Sequence, residues 1–272
     1  MSADGMTWID THAHLQAKPY ATDLEAVLDD AQQNGVEQVL LPGTDLQDSL
    51  QAVELAVRYR ERGLAASVGV HPHDAKTFTP EVAGAIRDLA RQHLGGAVVA
   101  IGEIGLDYHY DFSPRDVQRT VFKAQLELAL DMDLPVIVHD REATADNLAV
   151  IQEWAAERPL RPIPGVFHCF SGSVETARIL LKLGFYLGFD GPITFKNARK
   201  ALEVIAACPQ DRLVLETDSP YLTPEPFRGR RNTPAHIPLI GAAVASVWGC
   251  SVADVAAQTT ANARRLFAWP AL

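Results

Sequence analysis

A short apolar run rich in β-branched residues, followed by a helical stretch, recurs eight times along this chain and constrains its fold more than any other feature. The runs fall at residues 8–12, 38–41, 65–70, 98–101, 136–139, 165–169, 185–188 and 213–216. Continuous rather than alternating apolarity marks parallel strands covered on both faces. The helices between them have readable ends. Thr22-Asp-Leu-Glu25 spells a capping box, and that helix stops at Gly35. Thr79-Pro80 and Ser113-Pro114 each place a hydroxyl at the N-cap and proline at the first helical position, and Ser173 caps a helix ending near Gly184. Eight such units in roughly 250 residues make an α/β protein of the (β/α)8 TIM-barrel class, with one domain spanning residues 1–272. The rival, a doubly wound open sheet, carries a glycine-rich phosphate loop after its first strand. Here that strand ends in Asp10-Thr-His12-Ala-His14.

Charge and cysteine usage narrow the function classes. The chain has 272 residues, with 24 Lys+Arg against 34 Asp+Glu, a formal charge of −10. That balance excludes a positive blanket for gripping nucleic acid, so a polyanionic substrate needs local cations or an arginine cluster. Aromatics at 7% argue against an extended base-stacking surface. Three cysteines, Cys169, Cys208 and Cys250, form no CxxC pair, which suits a reducing compartment. The N-terminal residues show no secretory pattern, and the charge-free stretch 232–253 is too broken by proline and polar residues for a membrane span. The expectation is a cytoplasmic protein without membrane contact, plausibly monomeric.

The strand ends carry the chemistry. His12 and His14, two apart at the end of a strand, are read as pointing together toward the barrel axis, with Asp10 one step deeper on the same face as an orienting group. Strand four ends Ile101-Gly-Glu103-Ile-Gly-Leu-Asp107, strand five in His139-Asp140-Arg141, strand six in His168-Cys-Phe-Ser-Gly172, and strand eight in Glu216-Thr-Asp218-Ser-Pro220. In a barrel these ends meet at one face. Each group alone is ordinarily a satisfied polar side chain. Four imidazoles and two carboxylates converging in one cavity are costly unless a cation satisfies them.

The motifs Asp10-x-His12-x-His14-Leu15, Gly69-Val-His-Pro-His73, Ile101-Gly-Glu-x-Gly-Leu-Asp-Tyr108, His168-Cys-Phe-Ser-Gly172 and Glu216-Thr-Asp-Ser-Pro-Tyr-Leu222 resemble the signatures of the TatD family of metal-dependent deoxyribonucleases, within the amidohydrolase-like barrel superfamily. The resemblance runs from residue 8 to about 266. It implies a two-metal site that hydrolyses DNA phosphodiesters, often from the 3′ end of a single strand. It implies His12 and His14 as ligands of one metal, Glu103 as a bridging carboxylate, and His139 and His168 on the second metal. Asp218 would bind the first metal and accept a proton from the nucleophile, making Glu103 and Asp218 the catalytic pair. A bridging acid offers two oxygens to ions held about 3.5–4 Å apart. The histidine-rich donor set suits Zn, Mn, Fe or Co better than Mg.

Substrate contacts are expected from His71, with His73 a weaker choice, and from Arg141, Arg228, Arg230 and Arg231, the last three in the densest positive patch. Thr194, Lys196 and Asn197 could touch substrate, and Tyr108 could stack on a base or simply pack. Cys169 is read as turning toward the helices, Glu216 as supporting Asp218, and Trp248, Leu266 and Phe267 as packing helices onto the barrel. A binuclear amidase or esterase, including an aminoacyl-tRNA deacylase, is the alternative chemistry, because fold does not settle reaction. A metal-stabilised scaffold is the non-enzymatic one.

Overall fold

The computed structural model describes residues 5–157 and 160–269. Its eight strands are β1 (Trp8–Asp10), β2 (Val36–Pro42), β3 (Leu64–Val68), β4 (Val98–Asp107), β5 (Val136–Arg141), β6 (Gly165–Phe167), β7 (Tyr186–Phe189) and β8 (Leu213–Leu215). They form one sheet in sequence order, each parallel to the next. Just past β1 and β8 the seam is closed by Thr11 N–H to Leu215 O (3.1 Å), Asp218 N–H to His12 O (2.8 Å) and His14 N–H to Ser219 O (2.7 Å). The expected eightfold α/β barrel is the observed fold.

Helices α1 (Leu24–Gln33), α2 (Leu46–Arg58), α3 (Pro80–His93), α4 (Arg115–Asp131), α5 (Thr144–Glu157), α6 (Val174–Lys182), α7 (Arg199–Ala207), α8 (Ile237–Trp248) and α9 (Val252–Phe267) alternate with the strands or follow the last of them. Thr79 and Ser173 cap α3 and α6 as expected, accepting from Val82 N and Thr176 N. The other two caps differ. Helix α1 begins at Leu24, which puts Glu25 one position early for a capping box, and Glu25 instead accepts from Tyr59 and Arg62. Pro114 holds the N-cap position of α4. Ser113 turns away to donate to His73 O and accept from Lys76 N, tying two loops at the barrel rim together. Among the described residues no single helix is long and apolar enough to cross a membrane.

The barrel interior is layered. Ile9, Leu40, Ala65, Ala100, Ile137, Val166, Tyr186 and Val214, one from each strand, form a single inner cluster. Leu266, Phe267 and Trp269 at the end of α9 join that cluster and close the floor. Leu266 and Phe267, expected to pack a helix onto the barrel, do so by entering its interior. Burying large apolar side chains at about 25 cal/mol per Å² makes this plug a substantial share of barrel stability. Side chains of opposite parity, such as Leu41, Ala66, Val138, Phe167 and Leu215, pack in the larger cluster with the helices. Two residues above the inner apolar ring, the same parity delivers His139, His168 and Glu216, so the chemistry stands on the core.

Candidate metal centre

Each polar group at the rim is aimed by a local feature of its strand. The register of β4 against β5 shifts between Ile101 and Ile104, and within that irregularity Glu103 turns inward, 3% exposed. Gly105 permits the close approach of β4 to β5. It sits at φ +130°, and a Cβ there would strike the His139 carbonyl oxygen. His139 and His168 follow from simple alternation above Ile137 and Val166.

The HxH pair does not follow from alternation. Strand β1 stops at Asp10, Ile9 is its inner residue, and a continued strand would send His12 outward with Asp10. The chain departs from the strand after Asp10, and this brings both imidazoles in. Asp10 therefore holds backbone, not a ring. It accepts from His12 N (3.2 Å), Thr217 N (2.9 Å) and Thr217 Oγ1 (2.6 Å), pinning the first motif to the last. Burial raises its carboxyl to about 7. Asp218 adopts φ +51°, a left-handed conformation that Asp tolerates better than most residues, and its N–H is held by His12 O.

Glu103 stands between two sets of groups and shows a different oxygen to each. Its Oε2 lies 3.3 Å from His12 Nε2 and 3.9 Å from His14 Nε2. On that side Asp218 Oδ1 is 3.4 Å from His14 Nε2 and 3.7 Å from His12 Nε2, and the two imidazole nitrogens are 3.2 Å apart. Its Oε1 lies 2.8 Å from both His139 Nδ1 and His168 Nε2 and 3.3 Å from His71 Nε2. Donor atoms bonded at about 2.1 Å to one tetrahedral ion are about 3.4 Å apart, so each set would hold a transition-metal ion after shifts of about half an ångström. Groups of His12, His14 and Glu103, of His12, His168 and Glu216, and of His71, Glu103 and His139 each bring ligand atoms within 4.8 Å.

Electrostatics agree with a site built for positive charge. Burial works to raise the Glu103 carboxyl, yet His168, His71 and His12 hold it well below the usual carboxylate range. Asp218 is likewise lowered against burial, mainly by His14. His168 is raised well above an ordinary histidine, despite burial, by Glu103 and Glu216. The acids favour protons on His14, His139 and His168, while burial disfavours them on His12 and His71; a divalent ion held by these groups would supply the positive charge instead.

Neighbouring groups fix which nitrogen faces in. Asp107 Oδ2 sits 3.1 Å from His139 Nε2 and 2.8 Å from His73 Nε2, while its Oδ1 accepts from His109 N and Tyr110 N. The His139 Nε2–H then points at Asp107, leaving the Nδ1 lone pair toward Glu103. His71 is the reverse. Its Nδ1 accepts from His73 N, so the neutral ring carries its proton on Nε2, facing Glu103 Oε1. Burial lowers its pKa to about 4, against the pull of Glu103, which keeps that tautomer neutral. His71 is thus suited to donate a hydrogen bond and poorly suited to ligate.

Residues 9–268 match the sequence family described as TatD related DNase. The chain belongs to the TatD-related DNase family. It is 44% identical over 258 residues to a protein of Bacillus subtilis named an uncharacterized metal-dependent hydrolase, YabD, covering 95% of this chain and 98% of that one. It is 41% identical over 266 residues to the 3′-5′ ssDNA/RNA exonuclease TatD of Klebsiella pneumoniae, covering 95% and 97%. The crystal structure of the TatD homologue YJJV from Escherichia coli superposes with a TM-score of 0.89 at 32% identity, covering 97% and 98%. Membership makes the chain a hydrolytic enzyme and favours a metal-dependent nuclease over the amidase or esterase alternative.

The TatD-type centre opens into a cavity of about 790 Å³ lined by His14, Glu103, His139, His168, Asp218, His71, His73 and Arg141, among others. Five of the six side chains expected to bind metal line this cavity, together with His71 and Arg141, and His12 lies buried behind them against Glu103 and Asp218. Arg228, Arg230 and Arg231 do not line it. Arg231 is committed to a two-bonded pair with Asp23 and lies over Tyr20. Arg228 and Arg230 lie over Phe195 and Phe227. Thr194 pins a loop by accepting from Glu225 N, and Tyr108 hydrogen-bonds Asp146 and does not line the cavity. Asn197 lines an adjoining cavity of about 420 Å³.

Cys169 faces that adjoining cavity rather than the helices, because β6 ends at Phe167 and Cys169 turns at φ +44°. Burial and the nearby Asp190 push its thiol well up, so it is no nucleophile. Sequence reasoning missed the orienting role of Asp107, whose signal was the even spacing from Glu103 along β4. It also missed Tyr110, Phe112 and Tyr221, which line the large cavity and are 45%, 56% and 60% exposed.

Proposed function

We propose that this TatD-family enzyme removes nucleotides from the 3′ ends of single-stranded DNA, using two divalent cations. The observation that carries the two-ion reading is the split of Glu103, one oxygen toward His12, His14 and Asp218, the other toward His139 and His168. The relative named 3′-5′ ssDNA/RNA exonuclease supports the substrate class, as does an open cavity of about 790 Å³ walled by acids and histidines. Ions bound there would lower the pKa of water and offset charge on the phosphoryl oxygens. Zn, Mn, Fe or Co suit these nitrogen donors better than Mg. The three unpaired thiols support a reducing compartment such as the cytoplasm.

The chain's own groups then divide the work. Asp218, 15% exposed at the cavity wall, accepts the proton of the attacking water. Water attacks phosphorus, the P–O3′ bond breaks, and the 3′ oxygen leaves with the proton returned from Asp218. The Arg141 guanidinium hydrogen-bonds phosphate oxygens, while the His71 Nε2–H steadies Glu103 Oε1 beside them. Asp107 keeps His139 in the tautomer with its Nδ1 lone pair inward.

Cleavage of a single-stranded oligonucleotide labelled at its 5′ end tests this reading. The expected result is a ladder of stepwise-shortened labelled products, abolished by chelation and restored by Mn or Zn. Turnover of small carboxylic esters with an untouched oligonucleotide would replace the nuclease reading by the esterase one.

A further inference from the structure

We infer that Tyr110 and Phe112, on the loop after β4, form a stacking platform for an unpaired base of the substrate strand, an inference that rests on the nuclease reading. Aromatic rings in this chain are mostly buried, yet these two are 45% and 56% exposed. Both line the cavity that holds Glu103 and His139. Their rings stack on each other, with centroids 5.2 Å apart and planes 20° from parallel. The Arg141 guanidinium lies 4.8 Å from the Tyr110 centroid, adding a third planar group and a positive charge at the same wall.

The pair is held from beneath. His73 meets Tyr110 at 87° and Phe112 at 72°, edge to face, and His73 itself is fixed by Asp107. The Tyr110 N–H is bonded to Asp107 Oδ1. The carboxylate that sets the His139 tautomer therefore also sets the platform, so the two are in fixed register. Beyond their contacts with His73, His109 and Arg141, the two stacked rings stay about half in water, apolar surface that no protein contact covers. A flat ring arriving on a phosphate-bearing strand supplies that contact. Base–aromatic stacking tolerates every base, because each has a π face, and it requires that face to be free of a duplex neighbour. The platform thereby selects for unpaired strand beside the scissile phosphate, without reading sequence. The low aromatic content argues against an extended stacking surface but leaves room for one local platform.

The test compares two substrates in the metal-loaded enzyme: a single-stranded oligonucleotide and a base-free chromogenic phosphodiester. For the Tyr110→Leu, Phe112→Leu double variant, the loss of kcat/KM on the oligonucleotide should exceed the loss on the diester by about 5- to 150-fold, carried mostly by KM. Phe112→Trp, which keeps a larger ring, should retain the wild-type ratio of the two substrates. Equal losses on both substrates, or no loss on either, would overturn the platform. Failure of the wild-type enzyme to cut the oligonucleotide at all would instead strike the nuclease reading itself.

Discussion

The lower and upper halves of the barrel interior are built on the same strands yet share almost no chemistry. Below, one apolar side chain from each strand meets the plug of Leu266, Phe267 and Trp269. Above, the next inward positions are His139, His168 and Glu216, joined by Glu103, His12 and Asp218. Height along the strand separates stability from reactivity. The floor gains free energy from burial, while the rim concentrates acids and histidines that burial disfavours unless a cation is present.

Substitutions at the two heights should part cleanly. Glu103→Ala removes the carboxylate that faces both donor sets, and kcat/KM for oligonucleotide cleavage should fall by about a thousandfold or more. Denaturant unfolding of the metal-free variant should show a folded barrel with a modest loss of stability, because the carboxylate removed is held ionised by His168, His71 and His12 and pairs with them in turn. Equal loss of folding would erase the contrast. Leu266→Ala should do the opposite, lowering unfolding free energy by about 2–5 kcal/mol while turnover per folded molecule holds. A fall in kcat without a fall in stability would show that floor and rim are not independent.

A third expectation sharpens the contrast through pH. His71 is held near a pKa of about 4 in the fold, below its unfolded value of about 6.5. The unfolded chain therefore binds the extra proton first, and stability is lost as pH falls from about 6.5 toward 4. In metal-free protein this contributes at most about 3 kcal/mol. His71→Asn should flatten that part of the unfolding profile. An unchanged slope would mean that His71 is not buried as a neutral ring.

Much of this was readable in the sequence, for physical reasons that differ by element. Parallel strands buried on both faces leave continuous apolar runs, so all eight were visible. Residues such as His139 and His168 follow their strands by parity and were placed correctly for the right reason. His12 and His14 were placed correctly for the wrong one, because the chain leaves β1 before them and no local pattern marks that bend. Arg231 looked available in sequence, but its partner Asp23 is remote in the chain and only folding pairs them. Nothing in the sequence singles out Tyr110 and Phe112, since exposure is a property of the assembled rim.

In the proposed function, Glu103 would be shared by two cations at the mouth of this barrel. Crystals soaked in Mn, with an anomalous difference map at its absorption edge, test it most directly. The account predicts two peaks about 3.5–4 Å apart, one on each side of the Glu103 carboxylate. A single peak, or peaks that leave Glu103 uncoordinated, would contradict it.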